Sequence, residues 1–127
     1  MKRNFIITAA LLAGLAVILG AFGAHALKAR LTTEQLQVFE VGVRYHFYHA
    51  FALMLTGILY KEFPNRQLVW AGNFFIAGII LFSGSLYLLS NVEGLRKLGM
   101  VTPIGGVCFI AGWLLLAMGC IKGGQNR

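Results

Sequence analysis

The sequence contains no aspartate, and its acids are four glutamates, Glu34, Glu40, Glu62 and Glu93. A catalytic set built on carboxylates has little to draw on. Cysteine is scarce too. Cys108 and Cys120 stand twelve positions apart in one helical run. That is about 18 Å at the helical rise of about 1.5 Å per residue, whereas a disulfide needs Cα atoms within about 7 Å. The two cannot pair within the chain, and they read as small apolar packing residues. The third shortage is charge. Only 12% of the 127 residues are charged, against about 25% in soluble domains. With 58% of residues hydrophobic, a chain of this length cannot hide its apolar surface from water, and lipid must be its solvent.

The few charges are unbalanced, and the net charge is +7. The basic residues sit in short segments between apolar runs, without the basic stripe and interleaved aromatics of a nucleic-acid surface. No nucleic-acid partner is expected. The charge suits anionic lipid headgroups instead.

Four apolar segments fill the chain, and a spanning helix needs about 20 mostly apolar residues. They predict helices at about 5–24, 33–60, 68–89 and 103–121. The second has the clearest start. Thr32 is placed as N-cap, Gln35 completes a capping box, and Leu31 with Leu36 form a hydrophobic staple. Glu34 suits the positive end of its dipole. This helix exceeds what a bilayer needs, so its first two turns are expected in the interface. Pro64 and Asn65 mark a turn. Thr102 and Pro103 read as N-cap and first residue of the fourth helix. The short connections require antiparallel neighbours. The expected fold is therefore all-α: an integral membrane protein with four transmembrane helices in an antiparallel up-down bundle, one domain over residues 1–127.

Residues 1–26 carry a second reading. Met1 to Asn4, the apolar run and Ala24-His25-Ala26 have the order of a secretory signal. The apolar run of about twenty residues exceeds a usual signal core, so a spanning helix is the preferred reading. Basic residues also set the orientation. Lys2, Arg3, Lys61, Arg66, Lys122 and Arg127 fall on one side, and Lys28, Arg30, Arg44, Arg96 and Lys97 on the other. Six against five favours both termini in the cytoplasm.

Small residues recur every seven positions. Gly105, Gly112 and Gly119 do so on the fourth helix, Ala71, Gly78 and Ser85 on the third, and Ala9, Ala16 and Gly23 on the first. In lipid, close backbone approach replaces the hydrophobic force between helices, and small residues permit it. Gly78, Ser85, Gly105, Gly112 and Gly119 are accordingly expected as helix-packing residues. The same spacing also serves contact between two copies.

On the second helix, Gly42, Tyr45, His46, His49, Leu53, Thr56 and Gly57 share one face at 100° per residue, as expected for the 3.6-residue turn. They predict an inward face. Glu40, Arg44, Phe47, Phe51, Met54 and Ile58 share the other, which is expected to look at lipid. Glu40 and Arg44 form an i,i+4 pair in the favourable order near the headgroups. Ionisable groups inside a bundle are candidate functional groups. His25, His46 and His49 could converge in one leaflet as ligands of a metal or haem, or as a proton-coupled site. The competing structural reading pairs each histidine with a backbone carbonyl, Tyr45, Tyr87 or Asn73. No carboxylate or cysteine stands near to complete a ligand set, so the main reading expects no metal and no cofactor. Ser83 and Ser85 flank Gly84 within a helix and lack the base that a serine nucleophile needs. No catalytic residues are expected.

Four blocks now stand out in order. They are Gly20-Ala-Phe-Gly-Ala-His-Ala-Leu27, Phe39 to His49 with the following Ala-Phe-Ala-Leu, Phe82-Ser-Gly-Ser-Leu-Tyr-Leu-Leu89, and Thr102-Pro-Ile-Gly-Gly106 with Ala111-Gly-Trp113. Over roughly residues 5–120 the chain resembles the YgdD/YwdK-type family, small bacterial membrane proteins of unknown function with eukaryotic relatives. The resemblance implies a multi-pass inner-membrane protein of about four helices. It implies no reaction, cofactor or partner, although His25 and His49 fall within its blocks.

The main expectation is a non-enzymatic accessory or scaffold protein whose partners are the lipid bilayer and another membrane protein or itself. The first alternative is a metal- or ligand-binding protein centred on His25, His46 and His49. The second is an oligomeric small transporter or channel.

Overall fold

Four long helices account for most of the chain. The computed structural model describes residues 1–92, 94 and 96–125. Glu93 and Arg127 therefore lie outside the described residues. Helix α1 runs Arg3–Leu27, α2 Thr33–Leu59, α3 Arg66–Asn91 and α4 Val101–Gln125. A short 3-10 helix, Arg96–Met100, leads into α4. Among the described residues there is no strand. Three helices, α1, α3 and the one containing α4, are long and apolar enough to cross a membrane. The fourth, α2, has 27 residues but carries Glu34, Glu40 and Arg44 in its first half.

The ends follow local chemistry. Thr32 Oγ1 accepts from the Gln35 N–H at 3.1 Å, and the Thr32 N–H donates to Gln35 Oε1 at 2.9 Å. This capping box satisfies two backbone donors that a helix start leaves open. Asn65 caps α3 by accepting from the Leu68 N–H at 3.2 Å. Gly94 turns the chain before the 3-10 helix with φ +84°, a conformation a Cβ disfavours.

Two expected boundaries are corrected. Thr102 does not cap α4, because the 3-10 helix runs directly into Val101. Its hydroxyl instead lies 2.5 Å from that of Ser85 on α3. Pro103 still falls in the first turn, where its missing N–H is harmless. Helix α1 ends later than expected, so His25 lies within its last turn.

Neither α1 nor α3 is a uniform α-helix. Each has a π turn, Ile18–Gly23 and Ile79–Ser83. A π turn inserts one extra residue and frees local backbone groups.

Helix α1 packs on α2, α2 on α3, and α3 on α4. One core joins all four, with Ala9 from α1, Ala52 and Leu53 from α2, Leu68, Ala71 and Phe75 from α3, and Leu116 from α4. Helices α2 and α4 meet chiefly through aromatic side chains.

Candidate functional site

The inward face of α2 carries a ladder of polar groups, and Gly42, His46 and His49 each reach a partner on another helix. At Gly42 the carbonyl accepts from the Ser83 hydroxyl at 2.7 Å. One turn on, His46 Nδ1 lies 2.8 Å from the Tyr87 hydroxyl. Its Nε2 is buried without a partner at hydrogen-bonding geometry.

His49 is held more completely. Its Nδ1 lies 2.7 Å from the Tyr45 carbonyl. A carbonyl only accepts, so Nδ1 must carry the proton. The Nε2 lone pair then accepts from the Trp113 Nε1–H at 3.1 Å. The ring also stacks on Phe109, with centroids 3.5 Å apart and planes at 9°. His49 is thus fixed as one neutral tautomer, with neither nitrogen free for a ligand.

This level is the middle of the helices. A Cβ at Gly57 would meet Ile6 and the Lys2 carbonyl, and one at Gly20 would meet Val43. Residues 45–49 therefore sit level with the centre of α1. Tryptophan and tyrosine normally gather at the membrane surfaces, yet Tyr45, Tyr48 and Trp113 lie at this central level.

A groove of about 530 Å³ opens here between α2 and α4. Tyr45, Tyr48, His49, Gly106, Phe109 and Trp113 contribute to its walls. No charged residue lines it. Tyr45 and Tyr48 are 38% and 53% exposed. Tyr45 was expected fully inward, but its ring turns to the groove and meets Phe82 at 4.9 Å. The hydroxyls of Tyr45 and Tyr48 have no hydrogen-bond partner among the described residues.

The expected convergence of three histidines is not met. His25 is exposed at the end of α1, whereas His46 and His49 are buried. Among the described residues no group of three or more histidine, cysteine or acidic side chains is placed to hold a metal ion.

The small residues lie at the α3–α4 contact. A Cβ at Gly105 would strike the Phe82 backbone, one at Gly112 would come within 2.6 Å of Phe75, and one at Gly119 would strike Leu68. Gly78 lies under the Phe109 ring, and Ser85 is buried with its hydroxyl on the Phe82 carbonyl. On the outer face of α2, Glu40 and Arg44 are both exposed.

Sequence reasoning missed several residues. Asn65 bonds the Gly119 carbonyl at 2.9 Å as well as capping α3. Gly72 receives the Phe5 ring of α1. Trp113 and Tyr48 carried no pattern that distinguished them from lipid-facing aromatics.

The chain matches the family model described as protein of unknown function (DUF423) over residues 19–106, more than half its length. It is 45% identical over 121 residues to the UPF0382 membrane protein YwdK of Bacillus subtilis, covering 94% of this chain and 98% of the relative. It is 42% identical over 120 residues to a UPF0382 membrane protein of Staphylococcus epidermidis, covering 94% and 97%. It is 36% identical over 121 residues to the UPF0382 inner membrane protein YgdD of Escherichia coli, covering 95% and 92%. No solved structure matches. The similarity spans nearly the whole of both chains and includes the helices that build the α2 ladder, so the chain belongs to this family of membrane proteins of unknown function.

Proposed function

We propose that the protein is a four-span, antiparallel membrane protein acting as a non-enzymatic accessory or scaffold component that binds another membrane protein or a second copy of itself. Placing α2 in the membrane with the others accounts for its matched polar groups. A polar group without a partner is costly in hydrocarbon, and the ladder satisfies most of those on its inward face.

One observation carries the scaffold reading. Helix α1 is held on one side only. Of the residues Arg3–Val17, just Ala9 and Ala16 are buried. Ile7, Leu11, Leu15 and Ile18 are all exposed. An apolar helix fixed at one edge offers a rigid face to a neighbour.

Photo-cross-linkers placed at Leu11 and Leu15 in native membranes test this. A discrete protein adduct is the expected product. Adducts with lipid alone at both positions would remove the scaffold reading.

A further inference from the structure

The asparagines show how this chain treats a side-chain amide. Asn65 donates to the Phe63 and Gly119 carbonyls, each at 2.9 Å. Asn91 donates to the Tyr87 carbonyl at 2.9 Å and accepts from Arg30 at 3.1 Å. Asn73 differs. It is exposed on α3 and makes no hydrogen bond among the described residues.

Its depth makes that costly. Helix α3 has 26 residues, Arg66–Asn91, and about 20 of them suffice to cross the hydrocarbon, leaving about three at each end. The crossing stretch then begins near Val69, and Asn73 lies about 6 Å inside it at the helical rise. Trp70, 52% exposed almost one turn earlier, suits the membrane surface. A lysine or arginine at the depth of Asn73 reaches the headgroups on its long stem. The single methylene of asparagine does not. An amide without a partner is expensive in hydrocarbon, so a neighbouring molecule is called on to supply one.

The same depth identifies that neighbour. Copies of one chain insert with one orientation, so a second copy presents its own Asn73 at this level. A carboxamide carries both donors and an acceptor. Two of them facing across a two-fold axis along the membrane normal can exchange two N–H···O bonds, the self-complementary contact of a symmetric dimer. Acyl chains offer nothing to bond there.

The rest of this face permits close approach. Ala77 stands one turn beyond Asn73. Gly84 falls between Ser83, whose hydroxyl bonds α2, and Ser85, whose hydroxyl meets Thr102 on α4, and so it turns away from both. A Cβ at Gly84 would meet nothing within 4 Å, whereas Gly72 is covered by Phe5 and Gly78 by Phe109. Small residues let helices come together in lipid.

We infer that the outer face of α3 joins two copies of the chain, with the Asn73 amides paired across the two-fold axis and Ala77 at the crossing. This goes beyond the α1 face proposed above. It rests on α3 spanning the membrane, and it stands or falls whatever Leu11 and Leu15 meet.

Disulfide trapping of the full chain in native membranes tests it. In a Cys108→Ala, Cys120→Ala background, Ala77→Cys is expected to form a copy-to-copy disulfide on mild oxidation, since the paired Cα atoms must come within about 7 Å. Val107→Cys, at a position 64% exposed on α4, is expected to stay monomeric. Adding Asn73→Leu reduces the Ala77→Cys product, and Asn73→Gln, which keeps donors and acceptor, retains it. Energy transfer between labelled copies diluted in liposomes is expected to show a dimer dissociation constant raised about tenfold by Asn73→Leu, the scale of interhelical hydrogen bonds in lipid. Circular dichroism stays unchanged, because Asn73 is exposed on its own helix. The inference is overturned by an Ala77→Cys protein that stays monomeric, by equal disulfide yields at Ala77 and Val107, or by a dimer that Asn73→Leu leaves intact. A photo-cross-linker at Ala77 that captures a different protein, or lipid alone, overturns it as well.

Discussion

At the scale of single residues, His49 is the best-determined group in the protein. Both ring nitrogens are committed, one to its own helix and one to Trp113. Trp113→Phe keeps the apolar bulk and removes the donor, leaving Nε2 without a partner. A loss of about 0.5–2 kcal/mol is expected, the range for a buried hydrogen bond in a membrane bundle. Trp70 is 52% exposed on α3, so Trp70→Phe is expected to change stability by less than about 0.5 kcal/mol. Unfolding by denaturant in detergent compares the two. The inward placement of His46 and His49 was legible in the helical period. Their partners were only partly so. Tyr87 and an unspecified backbone carbonyl were among the options the residues offered, but Trp113 lies 64 positions from His49. Periodicity orients a side chain on its own helix and carries no information on which residue of a distant helix stands opposite.

At the scale of elements, consecutive glycines separate packing from open space. Gly105→Ala drives a Cβ into the Phe82 backbone, which cannot rotate away. The expected cost is about 1–3 kcal/mol, that of overpacking a tight interface. Gly119→Ala meets the end of the flexible Leu68 side chain and is expected to cost less, although Asn65 Oδ1 also stands 3.0 Å away. Gly106→Ala is expected to be nearly neutral, within about 0.5 kcal/mol. Thermal unfolding of the three variants gives the order directly. The seven-residue spacing identified glycines of one face, but it could not report what each would meet. The two π turns were not legible at all. Gly78 and Gly84 bracket one and Gly20 and Gly23 lie in the other, yet glycines are too frequent in this chain for that to distinguish them. The start of α4 was misread for a different reason. Thr102 and Pro103 satisfy the local rule for a helix start, and Ser85, brought near by the packing of α3 on α4, claims the hydroxyl instead.

At the scale of the whole molecule, the proposed four spans place the α1–α2 and α2–α3 connections on opposite faces. Single cysteines at Lys28 and Lys61, in a background lacking Cys108 and Cys120, are expected to label from opposite sides of intact cells with a membrane-impermeant reagent. The basic-residue balance expects Lys61 to be the cytoplasmic one. Labelling of both from one side would remove the antiparallel arrangement. Helical class and helix number were legible because apolar run length is a property of the chain alone. Which helices meet beyond chain neighbours was not, because it depends on which small residues find which bulky partners. Phe5 over Gly72 is one such match.

The polar ladder of α2 bears on how the chain is made. During synthesis α1 emerges first, and it is apolar throughout its central run. Helix α2 follows carrying His46, His49 and Thr56, polar residues that disfavour retention in lipid on their own. Thr56 bonds the Ala52 carbonyl within its own helix. The partner side chains for the histidines are still to come, Tyr87 on α3 and Trp113 on α4. On the four-span reading, α2 settles into the bilayer late, after the helices behind it have been translated. A chain that ends after residue 60 should therefore insert α1 and leave α2 only partly integrated.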